Sequence, residues 1–278
     1  MNASDTISAA PARPKKSETR EFLTFLVKLL IIVVAIRSLF VATFSIPSES
    51  MMPRLLVGDY LFVQKWTYGY SRYSFPWSPP LFEGRVLGGM PTRGTVVVFK
   101  DPAGPTPDTK RDIIKRVIGL PGDTVAMQGG ALILNRVALP RVRSDDFVLP
   151  VSPNSPCFAP EFAEAASDGS TRCRYPRYRE TLPGGKSYDV LDLGTTLGDD
   201  TRVFTVPAGH LFLMGDNRDK SADGRFPAVE GGGIGMVPLD HLVGRAWIGV
   251  FSTDGSAQWL LPWTWFTAAR GGRAGEGF

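Results

Sequence analysis

Between Phe22 and Phe44 nearly every side chain is apolar, 23 residues in all. As a helix they would reach roughly 35 Å, enough to cross a bilayer. Lys28 and Arg37 interrupt the run and leave Leu29 to Ile36 as its unbroken heart. A span over 22–44 therefore requires both charged side chains to reach for opposite interfaces. Nothing like Ala-x-Ala follows the run before Pro47, which favours an uncleaved anchor over a removable export signal. Residues 1–21 are polar, lack an apolar period and read as a flexible tail. Arg13, Lys15, Lys16 and Arg20 precede the span and little positive charge follows it. The positive-inside rule then puts the tail in the cytoplasm and everything after residue 45 on the outer face.

Past the anchor the pattern shortens to strands: Tyr60–Lys65, Thr95–Lys100, Ile113–Gly119, Thr124–Met127, Ala131–Leu134, His210–Met214 and Leu242–Phe251, with Gly, Pro and Asp between them. From about 129 to 204 the composition shifts to Pro, Ser, Arg and acids. This segment reads as an inserted second domain between two parts of one catalytic β core, 45–128 and 205–257. In 258–278, Trp259, Trp263 and Trp265 fall within seven residues. Such a cluster suits a core strand or a membrane-interface patch.

Composition narrows the class. Of 278 residues, 43% are hydrophobic, and 30 Gly with 23 Pro argue for a mainly β fold rather than long helices or disorder. The net charge of +4 is scattered among acids rather than gathered in a stripe, so nucleic acid is not an expected partner. With only His210, His241, Cys157 and Cys173 available, no CxxC, HExxH or three-ligand spacing exists and no metal is expected.

Three polar segments carry candidate chemistry. Ile46-Pro47-Ser48-Glu49-Ser50-Met51-Met52-Pro53 follows the anchor; by itself it is an ordinary Ser-rich turn. In Ile113 to Asp123 a period of two puts Ile113, Lys115 and Val117 on one face and Arg116 on the other. A lysine aimed at an apolar surface loses solvation and with it basicity, so it can act as a base; a lysine on a solvated edge strand is the plainer alternative. Met214 to Arg225 is dense in polar side chains and alone could be a solvated turn or a calcium loop, but it lacks the EF-hand pattern. A serine needs a base to take its proton, and a neutral lysine supplies one where histidine is scarce.

In this order the segments resemble bacterial signal peptidase I, the type I leader peptidase family. The resemblance rests on the span, Ile46–Pro53, Arg93–Phe99, Ile113–Asp123, Gly215–Arg225 and Val243-Gly244-Arg245-Ala246. It implies a two-domain β-rich serine endopeptidase that removes signal peptides from exported pre-proteins, acts as a monomer and needs no cofactor. Ser50 falls on the family's nucleophile and Lys115 on its general base. Ser48 falls on the hydroxyl that joins the Ser50 N–H in the oxyanion hole. Ser221 falls on the serine that orients the lysine, and Asp219, Asp223 and Arg225 on the supporting polar network. Arg54, Glu49, Ile113, Lys220 and Gly224 depart from the family's usual residues.

Several expectations follow. The chain should sit in the bacterial cytoplasmic membrane as a single-pass protein facing outward, with the bilayer and signal peptides as its partners. Ile46, Met51, Leu55, Ile113 and Ile114 should line shallow apolar pockets beside Ser50, and the resemblance implies cleavage after Ala-x-Ala. Cys157 and Cys173, in an oxidising compartment, should form a disulfide. Two rival readings are a self-cleaving Ser-Lys regulator, which the anchor disfavours, and a catalytically inactive anchored binding protein.

Overall fold

A computed structural model describes residues 18–104, 106, 110–258 and 260–278. Most of the expected N-terminal tail, and Trp259, lie outside the described residues. The apolar run forms a helix over Glu18–Leu39, long and apolar enough to cross a membrane. Glu18 and Glu21 occupy its first turn and Arg37 its last, each sign favourable for the helix dipole. The span expected over 22–44 ends five residues early on the C-terminal side: Val41–Ser45 is a strand, paired antiparallel with Asp59–Gln64 from Val41↔Gln64 to Ser45↔Tyr60. The reason is composition, because Val41, Thr43 and Phe44 favour extended backbone and a partner strand takes up the backbone groups.

That strand is the edge of a seven-stranded sheet. The order is Val41–Ser45, Asp59–Gln64, Leu242–Ser252, Val96–Lys100, Asp112–Gly119, His210–Met214 and Met236–Pro238, and every neighbouring pair is antiparallel. All seven strands expected from alternation form, within a residue or so of their expected limits. The sheet is apolar on both faces. Val96, Val98 and Ile114 join Ile46, Met51, Leu55, Leu61 and Val63 in one cluster, while Val97, Phe99 and Val117 join Leu211, Leu213 and Leu242 in another.

Thr124–Gln128, Ala131–Leu134, Val137–Ala138 and Phe204–Thr205 make a second, smaller sheet. A third carries Thr171–Thr181 paired with Arg141–Pro150, Ala163–Ala165 and Ser187–Leu191. The expected disulfide is present: Cys157 and Cys173 are bonded, and Cys173 lies in a cluster with Met52, Leu56, Tyr175 and Leu191.

Buried ion pairs join this third sheet to the main one. Arg116 meets Asp216 through two bonds of 2.7 and 2.6 Å, and its guanidinium lies 4.5 Å from the centre of the Tyr188 ring. The Tyr188 hydroxyl donates to Glu180 at 2.8 Å, and Glu180 also accepts from Arg218. Glu180 and Arg218 are both almost fully buried. Removing one partner of such a pair strands the other charge in a medium that cannot solvate it. Glu180→Gln is therefore expected to lower the unfolding free energy by about 3–5 kcal/mol. The Glu180→Gln/Arg218→Met double substitution should recover much of that loss. Denaturant titration in detergent checks both, and a double variant no better than the single one would mean that the charges are not what the fold depends on.

Candidate active site

Ser50 sits in a single 3-10 turn, Glu49–Met51, that follows Ser48 directly. Backbone bonds pin the turn at both ends. Ile46 donates to Asp59 O at 2.8 Å, Gly58 donates to Ile46 O at 3.0 Å, and Asn217 N–H reaches Ser50 O at 3.1 Å. Gly58 has φ of +91°, and a Cβ there would stand 2.1 Å from the Thr253 carbonyl oxygen; only glycine fits. Ser50 is 6% exposed. Its Oγ lies 3.4 Å from the Ser48 Oγ.

Lys115 comes from the strand Asp112–Gly119, opposite Val97 in the register. Its Nζ stands 2.7 Å from Ser50 Oγ and 3.1 Å from Ile114 O, and the residue is 5% exposed. Burial lowers its pKa to about 8, against the opposing pull of the Asp223 and Asp216 charges. An amine with that basicity is partly neutral near neutral pH and can accept the proton of the hydroxyl it touches.

The loop after His210–Met214 frames the pair. Gly215 is the point of closest approach: a Cβ there would lie 2.3 Å from Ser221 Oγ and 2.5 Å from Ser50 O. Asp223 accepts from Gly215 N at 3.0 Å and from Arg225 Nε at 2.8 Å. Burial would raise the Asp223 pKa, but the Arg225 charge and the hydrogen bonds outweigh it and hold the carboxyl below its usual value. Arg225 also donates to Arg218 O at 2.5 Å and Gly198 O at 3.3 Å, which locks the loop against the neighbouring chain. Asp219 accepts from Leu193 N at 2.5 Å and Thr196 Oγ1 at 3.0 Å. It fastens the loop and does not reach Lys115.

Two expectations change. Ser221 Oγ is buried and makes no hydrogen bond among the described residues, so the bond expected from it to Lys115 is not formed. The lysine instead uses Ser50 and its neighbour's carbonyl. Met51 and Leu55, expected in the pocket wall, are fully buried in the core with Leu61 and Val63, because the tight turn directs Met51 inward as it presents Ser50 outward.

A cleft of about 370 Å³ opens on Ser50 and Lys115, and Ile46, Ile113 and Ile114 line it as expected. Phe44, Val98 and Ala222 also line it. Phe44 was hidden inside the apolar run, and the alternation of Val96–Lys100 could have marked Val98. Of the departures, Lys220 is exposed with its Nζ 5.3 Å from the centre of the Phe158 ring. Arg54 turns from the site to donate to Gly277 O and cover Phe278. A Cβ at Gly224 would stand 2.9 Å from Leu213 O, so a side chain there needs the backbone to move. His241 lies under Tyr73 with Nδ1 3.0 Å from Lys100 O, and His210 bonds Ala208 O; neither meets the serine.

The sequence model of the family described as signal peptidase, peptidase S26, matches residues 19–251. A signal peptidase I of Rickettsia typhi is 33% identical over 250 residues, 87% of this chain and 83% of its own. That of Rickettsia prowazekii is 32% identical over 247 residues, 86% of this chain and 82% of its own. A crystal structure of a signal peptidase I from Enterococcus faecalis aligns with 56% of this chain and 97% of its own at 23% identity, with a TM-score of 0.28, too low to add weight. On the family match and the two relatives, the chain belongs to the signal peptidase family, peptidase S26, and is a protease.

Proposed function

We propose that this protease is a membrane-anchored signal peptidase that cleaves pre-proteins with Ser50 as nucleophile and Lys115 as general base. The single observation that carries the reading is the 2.7 Å contact between a buried, weakly basic amine and a serine hydroxyl at the floor of a cleft. Neutral Lys115 takes the Ser50 proton as Oγ attacks the scissile carbonyl. The tetrahedral oxyanion is held by the Ser50 N–H and the Ser48 hydroxyl. Collapse expels the amine of the mature protein, protonated by Lys115, and leaves an ester on Ser50. Lys115 then activates the water that hydrolyses the ester.

The helix Glu18–Leu39 supports single-pass anchoring, and the basic residues ahead of it favour everything after residue 45 on the outer face, with a catalytic β core of 45–128 and 205–257. Exposed Phe40, Trp66, Trp247, Trp263, Trp265 and Phe266 suit contact with the membrane interface. Signal peptides thus reach the cleft from the bilayer.

Ser50→Ala and Lys115→Ala are each expected to abolish cleavage of a signal-peptide substrate, while His210→Ala and His241→Ala retain most of it. A comparably active Ser50→Ala protein would rule out the nucleophile.

The depressed lysine pKa fixes a sign for pH. Only neutral Lys115 is competent, so kcat/KM should climb tenfold per pH unit below about 8 and level off above it. Stability moves the same way. Between about 8 in the fold and the ordinary 10.5 in the unfolded chain, the unfolded state binds the extra proton, so unfolding free energy from this group rises with pH across that window. Lys115→Met should therefore be inactive yet more stable than the parent at pH 7. A variant less stable at pH 7 and a flat kcat/KM profile would show that the amine is not held neutral.

Specificity should favour Ala at the first and third positions before the cut, because Ile46, Ile113 and Ile114 leave room for a methyl group and meet anything larger by overlap. Peptides with Leu or Phe immediately before the cut, processed as fast as those with Ala, would refute this wall.

A further inference from the structure

A second pocket, of about 700 Å³, lies between the outer part of the anchor helix and the β body. Leu30, Val33, Val34 and Arg37 line its helix side. At spacings of three and four residues these positions share one helix face, so an apolar stripe roughly 10 Å long ends in a guanidinium. Lys65 and Lys100 approach from the body, and the exposed Trp77 stands at the rim.

The charges there do not balance. Among the described residues Asp112 is the one acid lining the pocket, and Lys100 Nζ already holds it at 3.1 Å. Lys65 is 6% exposed, and among the described residues its ammonium gives one hydrogen bond, 2.6 Å to Ser74 O. Among the described residues neither Lys65 nor Arg37 forms an ion pair. An ammonium carries three donors, and a buried one without a counterion is costly. Burial lowers the Lys65 pKa to about 8; Asp112 opposes this, while Arg37 and Lys100 reinforce it. The pocket thus presents two unmatched cations at one end and aliphatic walls at the other.

We propose that this pocket binds one anionic phospholipid, its phosphate held by Arg37 and Lys65 and an acyl chain lying along Leu30, Val33 and Val34. An apolar peptide would fill the walls and leave the cations unmatched. A free phosphate would match the cations and leave the walls empty. The proposal rests on the reading of Glu18–Leu39 as a membrane anchor, which would set Arg37 near the outer headgroups. The pocket also shares Phe44, Ser45 and Asp112 with the catalytic cleft, so a bound lipid would border the substrate's path.

The test uses the full chain. Flotation with phosphatidylcholine vesicles first asks whether the protein is anchored at all; failure to float with any vesicle overturns the anchor and the lipid site together. Native mass spectrometry then compares phosphatidylglycerol and phosphatidylcholine with identical acyl chains. The expected result is a preference of roughly tenfold for phosphatidylglycerol, set by the extra favourable charge contacts. Arg37→Gln, on an exposed helix position, and Lys65→Met should each remove most of it while leaving hydrolysis of a soluble peptide in detergent unchanged. Glycerophosphate at equal concentration should not displace the lipid. Equal retention of both lipids by a protein that floats, a preference untouched by Arg37→Gln, or displacement by glycerophosphate overturns the lipid site and leaves the protease reading intact.

Discussion

The structure turns on keeping one amine out of water without giving it a counterion. Lys115 lies between two apolar clusters, and carboxylates that would restore its charge are close. Each is already taken. Asp223 is bound by Arg225, and Asp216 is gripped by both arms of Arg116. A lone carboxylate at either place would raise the lysine pKa and return it to an ammonium. Paired with guanidinium, each acid is close to neutral as seen from Lys115, and burial wins. The ion pairs that knit the sheets together thereby also leave the lysine a base.

The same requirement explains the chain around it. Arg116 follows Lys115 directly, and the pleat sends the two side chains to opposite faces. One strand can therefore aim an uncompensated amine at Ser50 and a compensated guanidinium at Asp216. Gly215 then has to be small, because the loop carrying Asp216 passes between Ser50 and Ser221. Tyr188 covers the guanidinium from the third sheet, so the inserted strands help to exclude water from the far side of the lysine strand.

How much of this was legible follows from where the information lies. Strands such as Val96–Lys100 and His210–Met214 announce themselves because their burial is written in apolar runs. Thr171–Thr181 does not, since Arg172, Arg174, Arg177 and Arg179 dominate its composition and Pro176 interrupts it. Its arginines are held by Asp168, Glu164 and Asp189, and those pairings exist only once the strands meet. Ser50, Ser48 and Lys115 could be named as candidates from the order of their segments, and the fold brings the three side chains together. The inward aim of Met51, the Ser221 hydroxyl left without a bond among the described residues and the helix ending before Val41 depend on dihedral angles and partners that composition does not encode.

The shift of the helix end matters for how the site meets a membrane. Residues 40–49 separate Leu39 from Ser50, and the strand Val41–Ser45 makes up half of them. A strand rises about 3.4 Å per residue, so Val41–Ser45 accounts for roughly 17 Å of extended chain between them. Pairing with Asp59–Gln64 makes that distance rigid. A helix continued to Phe44 would have left only a flexible turn between the anchor and Ser50. With the strand in place, the first half of the path from the helix to Ser50 is paired sheet edge rather than free chain. On the proposed topology, the link from the anchor to the serine turn is then carried by the same sheet that holds Lys115.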